Sequence, residues 1–553
     1  MLPFAMLDFV TDRFYGRQTV GWLGCRWAIR AVVGLLLLTP AQAQVQIDGD
    51  LLTLTTENMK VQFRGGTMIR LTNLLTGETL VRQVPVLPSL VEMRTLQTSA
   101  KPLRWTDWRM GKATAANPNA VQISFNDLTS AVWMNAIIDP DTQDVALTLW
   151  GESNREGVTG LTWGMRGLDL TSGRLILPAF GGIALDSRSA PDSLTLEYPG
   201  QWEAQMLIWQ TQAGGFVVYS RDDQALFKRL HLRRRGDRLD LIFETQAVGP
   251  WKSAGGVPQL EWRFNVFKGD WRVPAEGYRR LMRFLRPPLP ARGDRAWVAE
   301  IRSVRTIAEN RFDPATLEKI AALSLPKETL LYLPNWHIAN ARPDDPAYRV
   351  ADNLRVYVQR AQAMGFRVML GVDCAALPRE HPDLIQMRRY QVKDPRTGAP
   401  VEIPAEGATS APSTLAVINP AAPAYRSLFI RRLSNVIDYV RPDALHLRHS
   451  GRMWNDGGGL IEKQNFAQGA AALHRALLTA FPHLVLSGDG LNEVVAPFQF
   501  FAQLPPAVSL PPHPISGYLF GDRMLFFLPP SSVVWKYPIE RSERRRQRSA
   551  RLR

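Results

Sequence analysis

Apolar and polar residues alternate in short runs along the first half of the chain. LLTLTTENMKVQFRG, AVQISFND, DVALTLWG, GGFVVYS and LDLIFET carry β-prone stretches of roughly five to eight residues, broken by Gly, Asn and Asp. From Val45 onward, over residues 45–270, this predicts a large antiparallel β-sandwich. After Trp271 the period lengthens. PAEGYRRLMRFLRP reads as a helix, and Pro287, Pro288 and Pro290 end a helical linker over 271–292.

Strand and helix patterns then alternate over 293–523. AWVAEIRSV, TLLYLPNW, FRVMLGVD, DALHLRHS and HLVLSGDG read as strands. DPATLEKIAAL, DNLRVYVQRAQAMG, AYRSLFIRRLSNVIDYV and NFAQGAAALHRALLTAF read as helices, the first capped by Asp313 with Pro314 at its start and the second closed by Gly365. A long Pro-rich loop is expected from Cys374 to Pro420. Such alternation implies a parallel sheet with right-handed crossovers. Five tandem strands after a sandwich favour a TIM-type barrel over an open doubly wound sheet, and no Gly-rich phosphate loop follows the first strand. EVVAPFQFFAQL reads as one more helix, and residues 524–553 as an irregular basic tail. Because eight βα units need about 250 residues, the barrel is expected to be incomplete at its C-terminus, as in a truncated or frame-shifted product.

Charge changes the picture less than its total implies. The chain of 553 residues has a formal net charge of +15. Residues 541–553 hold seven Arg against one Glu, and residues 1–43 hold four Arg against two Asp, so the two ends supply +8. The remainder is a mildly basic surface without a basic stripe of interleaved aromatics, which argues against a nucleic-acid partner. Arg26 and Arg30 precede the apolar run Ala31 to Leu38, and Ala41-Gln42-Ala43 is a small-x-small cleavage signal. Together they predict an export signal over residues 1–43, cleaved before Gln44, and an extracytoplasmic location. The run is far short of the roughly 20 residues of a membrane span, so no membrane anchor is expected after cleavage. Cleavage would remove Cys25 and leave Cys374, which reads as a small core residue.

Several motifs occur in an order that carries more information than any one of them. EYPGQWEAQMLIWQTQAGGFVVYSRDD, FKGDWRVPAEGYRR, LPNWHIANARPDDPAYRVADNL, AQAMGFRVMLGVD and the pair HLRHSG and SGDGLNE follow one another between about Leu51 and Phe520. In this order the chain resembles glycoside hydrolases of the α-galactosidase and endo-α-N-acetylgalactosaminidase type, and more closely an uncharacterised domain family related to them. The resemblance implies an N-terminal β-supersandwich and a catalytic barrel that acts on carbohydrate.

That chemistry needs two carboxyl groups flanking the scissile bond, one attacking or activating water and one protonating the leaving oxygen. The resemblance implies an Asp nucleophile at the end of the fourth strand and a Glu acid/base at the end of the fifth. The first position is occupied by Arg448 and the second by Asp489. A guanidinium stays protonated and cannot attack an anomeric carbon. A second carboxylate would have to come from Asp373 at the end of the third strand, Asp456 in the WNDGGG loop, or Glu493, expected to open the helix after the fifth strand. Structural readings compete: Asp489-Gly490 is a common turn pair, Asp456 can cap a Gly-rich turn, and Glu493 can sit at a helix N-terminus. Trp336 reads as a sugar platform; His337, Arg448, His449 and Trp454 read as substrate contacts; His446 reads as a core or lining residue. No metal-ligand spacing such as HExxH is present, so neither a metal nor a cofactor is expected. Two functions compete: an exported glycoside hydrolase, and an inactive barrel that binds glycan or serves only as a scaffold.

Overall fold

The computed structural model describes residues 44–533 apart from 83–88, 98–100, 103, 110–118, 290–292, 309–311, 338–347, 405–413, 506–508 and 529–530. The expected export signal and residues 534–553 lie outside the described residues. Among the described residues no helix is long and apolar enough to cross a membrane.

The alternating half folds into two sheets, one of 11 strands and one of 9. Pairing is antiparallel apart from a short parallel contact between Thr67–Asn73 and Val158–Asp169. Strands such as Met59–Arg64 bury every second residue, as a half-solvated sheet requires. Trp163, Trp202, Trp209 and Trp262 are fully buried, and Trp202 stacks on Trp262 with ring centroids 6.1 Å apart. These rings fill the sandwich core, where large aromatics bury the most surface.

The second half forms a nearly closed barrel. Seven parallel strands follow in spatial order: β1 (Ser303–Thr306), β2 (Thr329–Leu333), β3 (Arg367–Asp373), β4 (Ala444–Arg448), β5 (Val485–Asp489), β6 (Phe501–Gln503) and β7 (Leu525–Phe527). An eighth strand, β8 (Ser531–Val533), runs antiparallel to β1 and follows β7 in the chain. Helices Ala315–Leu323, Leu354–Ala363, Pro423–Val440 and Phe466–Ala480 match the expected runs. Asn465 and Gln468 form a reciprocal capping box at the start of the last.

Four expectations are corrected. The AWVAEIRSV run is a 3-10 helix over Gly293–Glu300 followed by the shorter strand β1. EVVAPFQFFAQL is a 3-10 turn at Ala496–Phe498 followed by β6. The segment after 524, read as irregular, supplies β7 and β8, so the barrel continues beyond residue 523. The Pro-rich loop after β3 contains a three-stranded antiparallel sheet built from Ala376–Pro378, Glu402–Pro404 and Thr414–Val417.

The linker helix (Arg272–Leu285) joins sandwich to barrel. Trp271, Ala275, Tyr278 and Met282 share one apolar cluster with Ile208 of the sandwich and Leu519 and Phe520 of the barrel.

Candidate active site at the barrel rim

The central strands β3, β4 and β5 are buried along nearly their whole length, as expected of parallel strands covered on both faces. Polar side chains emerge at their C-terminal ends, where α/β barrels keep their chemistry. Asp373 on β3 pairs in register with Arg448 on β4. On the other side of β4, Leu447 pairs with Gly488, which sets Asp489 beside Arg448, and Asp489 in turn pairs with Gln503 on β6. The rim therefore carries Asp373, Arg448, Asp489 and Gln503 at one level on four neighbouring strands.

Arg448 donates from its guanidinium to Asp373 Oδ2 at 2.9 Å, and its side chain is only 6% exposed. His449 spans the two carboxylates. Its backbone N–H donates to Asp489 Oδ2 at 2.6 Å, while its Nε2 lies 3.4 Å from Asp373 Oδ1. It does so in the left-handed region, at φ 65°, which is uncommon for a residue with a β-carbon and is met mostly where the surroundings enforce it. Below the rim, His446 Nε2 lies 2.8 Å from Asp489 Oδ1 and its Nδ1 2.8 Å from the Ser487 hydroxyl. The Asp489 backbone N–H donates to Ser450 Oγ at 3.1 Å. Gly451 keeps this turn tight, because a β-carbon there would collide with the Asp489 carbonyl oxygen.

Both rim carboxyls are held in the ionised form. Burial pushes Asp373 up, but the hydrogen bond from His449 and the charges of Arg448, His449 and His337 outweigh it and leave it below the usual carboxylate range. Burial likewise raises Asp489, and the His446 hydrogen bond and charge together with the His449 N–H bring it below its ordinary value. Neither is a proton donor near neutral pH. Two strand spacings separate the backbones of Asp373 and Asp489, about 9–10 Å, with the Arg448 strand between them.

The other candidates sit elsewhere. Asp456 accepts from the backbone N–H of Lys393 and of Gly458 at Oδ1, at 3.0 and 2.7 Å, and from Asn419 Nδ2 at Oδ2, at 2.8 Å. It fastens the loop after β4 to the small sheet inserted after β3. Its neighbour Asn455 fastens the same loop to the sandwich, donating to Gln246 Oε1 and Ala247 O at 3.0 and 2.8 Å. Glu493 opens no helix. It is 1% exposed, accepts from the hydroxyls of Tyr198 and Tyr278 at 2.8 and 2.7 Å, and belongs to the sandwich–barrel junction. Trp336 is fully buried and gives its indole N–H to Gly371 O at 2.6 Å, so it presents no ring face to a sugar. His337 packs edge-on against Trp336, with its charge felt at Asp373. Trp454 is half-buried, with its ring against Phe466 at 5.2 Å. Cys374 is buried beside Asp373, and burial pushes its thiol up to about 12, which leaves it inert as a nucleophile.

Ser487 and Ser450 were missed by sequence reasoning. Ser487 had a signal: residues two apart on a strand share a face, so Ser487 with Asp489 and His446 with Arg448 point the same way. Ser450 had none, since its role depends on how the turn after β4 folds back.

No protein-family model matches the sequence, and no curated protein matches it. Solved structures do. The α-N-acetylgalactosaminidase NagBb from Bifidobacterium bifidum, ligand-free, aligns with a TM-score of 0.64 at 11% identity, over 87% of this chain and 85% of that one. Its GalNAc complex aligns with a TM-score of 0.63 at 12% identity, over 87% and 84%. The α-galactosidase AgaA from Geobacillus stearothermophilus is aligned over 91% of this chain and 85% of that one, at a TM-score of 0.43 and 10% identity. The NagBb alignments give sandwich and barrel together a glycoside-hydrolase-like fold.

Proposed function

We propose that this chain is an exported carbohydrate-binding protein built on a glycoside-hydrolase scaffold with a TIM-type barrel, and that it holds its glycan at the barrel rim without cleaving it. The observation that carries this reading is the Arg448 guanidinium at 2.9 Å from Asp373, on the strand between the two rim carboxylates. A hydrolase of the resembled class needs an anionic nucleophile at that place and a protonated carboxyl nearby. Here the nucleophile position is cationic, and Asp373 and Asp489 both favour the ionised form. Ionised carboxylates, a guanidinium and imidazoles are suited to exchanging hydrogen bonds with sugar hydroxyls. The GalNAc complex of NagBb supports a sugar as the ligand class.

A second reading, an inverting hydrolase, draws on the spacing of Asp373 and Asp489. Side chains reaching inward from backbones two strands apart fall near the roughly 6.5–9.5 Å of an inverting pair. Assaying the protein and its Arg448→Asp variant on a panel of aryl glycosides separates the two. The binding reading expects no turnover by the unmodified protein, with saturable glycan binding in calorimetry. Turnover that disappears in Asp489→Asn would overturn it. Export is checked by N-terminal sequencing of the protein recovered outside the cytoplasm, with Gln44 expected as the first residue.

A further inference from the structure

We propose that the sugar bound at the rim carries a free, protonated amine, seated on Asp489. The inference rests on the reading that the rim binds carbohydrate, and it names the class of sugar.

Arg448 and Asp373 form an ion pair at 2.9 Å and cancel. Asp489 has no such partner: among the described residues its ion-pair contact is the His446 imidazole, and no Lys or Arg nitrogen lies within ion-pair distance. One Asp489 oxygen, Oδ1, faces His446 Nε2 at 2.8 Å, while His446 Nδ1 faces the Ser487 hydroxyl at 2.8 Å. The second carboxylate oxygen takes the His449 backbone N–H. Asp489 is therefore oriented by one nitrogen contact on each oxygen, neither of them from a Lys or Arg. Arg448, Asp373 and Asp489 by themselves sum to a formal charge of −1. Each oxygen retains a second lone pair, and 26% of the side chain is open.

An ammonium suits that arrangement better than a hydroxyl does. A hydroxyl exchanges one neutral donor for the water it displaces, whereas an ammonium brings a charge-assisted bond of roughly twice the strength and neutralises the site. N-acetylation removes this advantage by turning the cation into a neutral amide. A uronic acid is worse still, because its carboxylate meets Asp489 with like charge.

Calorimetric titration of the full chain at pH 7 with galactosamine, N-acetylgalactosamine, galactose and galacturonate, and with the four gluco counterparts, tests this. The amino sugar of one series should bind about tenfold or more tightly than its N-acetyl form. Asp489→Asn should abolish that preference, bringing the amino sugar and its N-acetyl form to within about threefold of each other. The preference should also vanish in the unmodified protein near pH 9.5, above the usual amine range of about 8, a readout that holds even if the variant fails to fold. N-acetyl or acidic sugars binding as tightly as the amino sugar would overturn the inference and leave the carbohydrate reading standing. Binding of none of the eight would overturn that reading, and the inference with it.

Discussion

At the barrel rim, Asp373 and Asp489 keep 21% and 26% of their side chains open, whereas at the sandwich–barrel junction Glu203 and Glu493 are 2% and 1% exposed. The rim gives each carboxylate a guanidinium, an imidazole or a backbone N–H and so favours the anion. The junction divides its resources unevenly. Lys228, fully buried, serves Asp222 at 2.7 Å and Gln205 at 2.6 Å. Glu493 draws two tyrosine hydroxyls. Among the described residues Glu203 receives the Gly181 N–H at 2.6 Å and the Ser516 hydroxyl and no cation, and burial raises its carboxyl to about 7. A carboxyl with a proton to give at neutral pH is thus walled into the junction, while the two rim carboxyls are held deprotonated. A carboxyl tuned as an acid marks chemistry only where a substrate can reach it.

The largest expected effect comes from the junction. Lys228→Met strands Asp222 without its ammonium and should cost about 3–5 kcal/mol in urea denaturation, the usual penalty for one half of a buried pair. A loss below about 1 kcal/mol would show that Asp222 finds other compensation and would narrow the contrast.

Glu203→Gln comes next and carries a sign. Its folded-state value of about 7 lies above the ordinary 4.5, so its share of stability is complete below pH 4.5 and is lost as the pH rises through 7. The amide should flatten that slope and raise stability at pH 8 by about 3 kcal/mol. Thermal melts from pH 4 to 8 read it directly. An unchanged slope would mean that other groups set the pH response of the junction.

Asp456→Ala should cost about 1–3 kcal/mol through three lost hydrogen bonds, and the loop after β4 should become the first site of limited proteolysis. Retained resistance there would show that the Asn455 bonds to the sandwich suffice to hold the loop.

The smallest effect at pH 7 belongs to Asp489→Asn, with the opposite pH sign. Asp489 is lowered from 3.8, so its contribution is present above that value and fades as the pH falls below it. The variant should lose part of the drop in melting temperature between pH 4 and 2. If acid melts of the two proteins diverge only above pH 4.5, the rim carboxylate is not held ionised and the contrast fails.

Much of this architecture was legible in the chain. The sandwich announced itself by alternation, and β2 to β5 and their helices by runs long enough to show a period. What escaped was short or doubly covered. β6, β7 and β8 have three residues each, too few for any period, and buried parallel strands lack the alternation that marks a half-exposed one. The same division runs through the site. Asp373, Arg448, His449 and Asp489 were readable because they end strands, whose register carries them to a common rim. Asp456, Glu493 and Trp336 were candidates from their places after the fourth, fifth and second strands, and their loops and neighbours took them away from the rim.

By itself the sequence determined the two halves, the order of the central strands, and the Arg at the end of β4, because strand period and residue identity are local. Only the tertiary structure decided what each carboxyl is for. Its charge state depends on how deeply it is buried and which donors face it, and those donors come from strands and loops far apart in the chain: Gly181 and Ser516 for Glu203, His446 and His449 for Asp489.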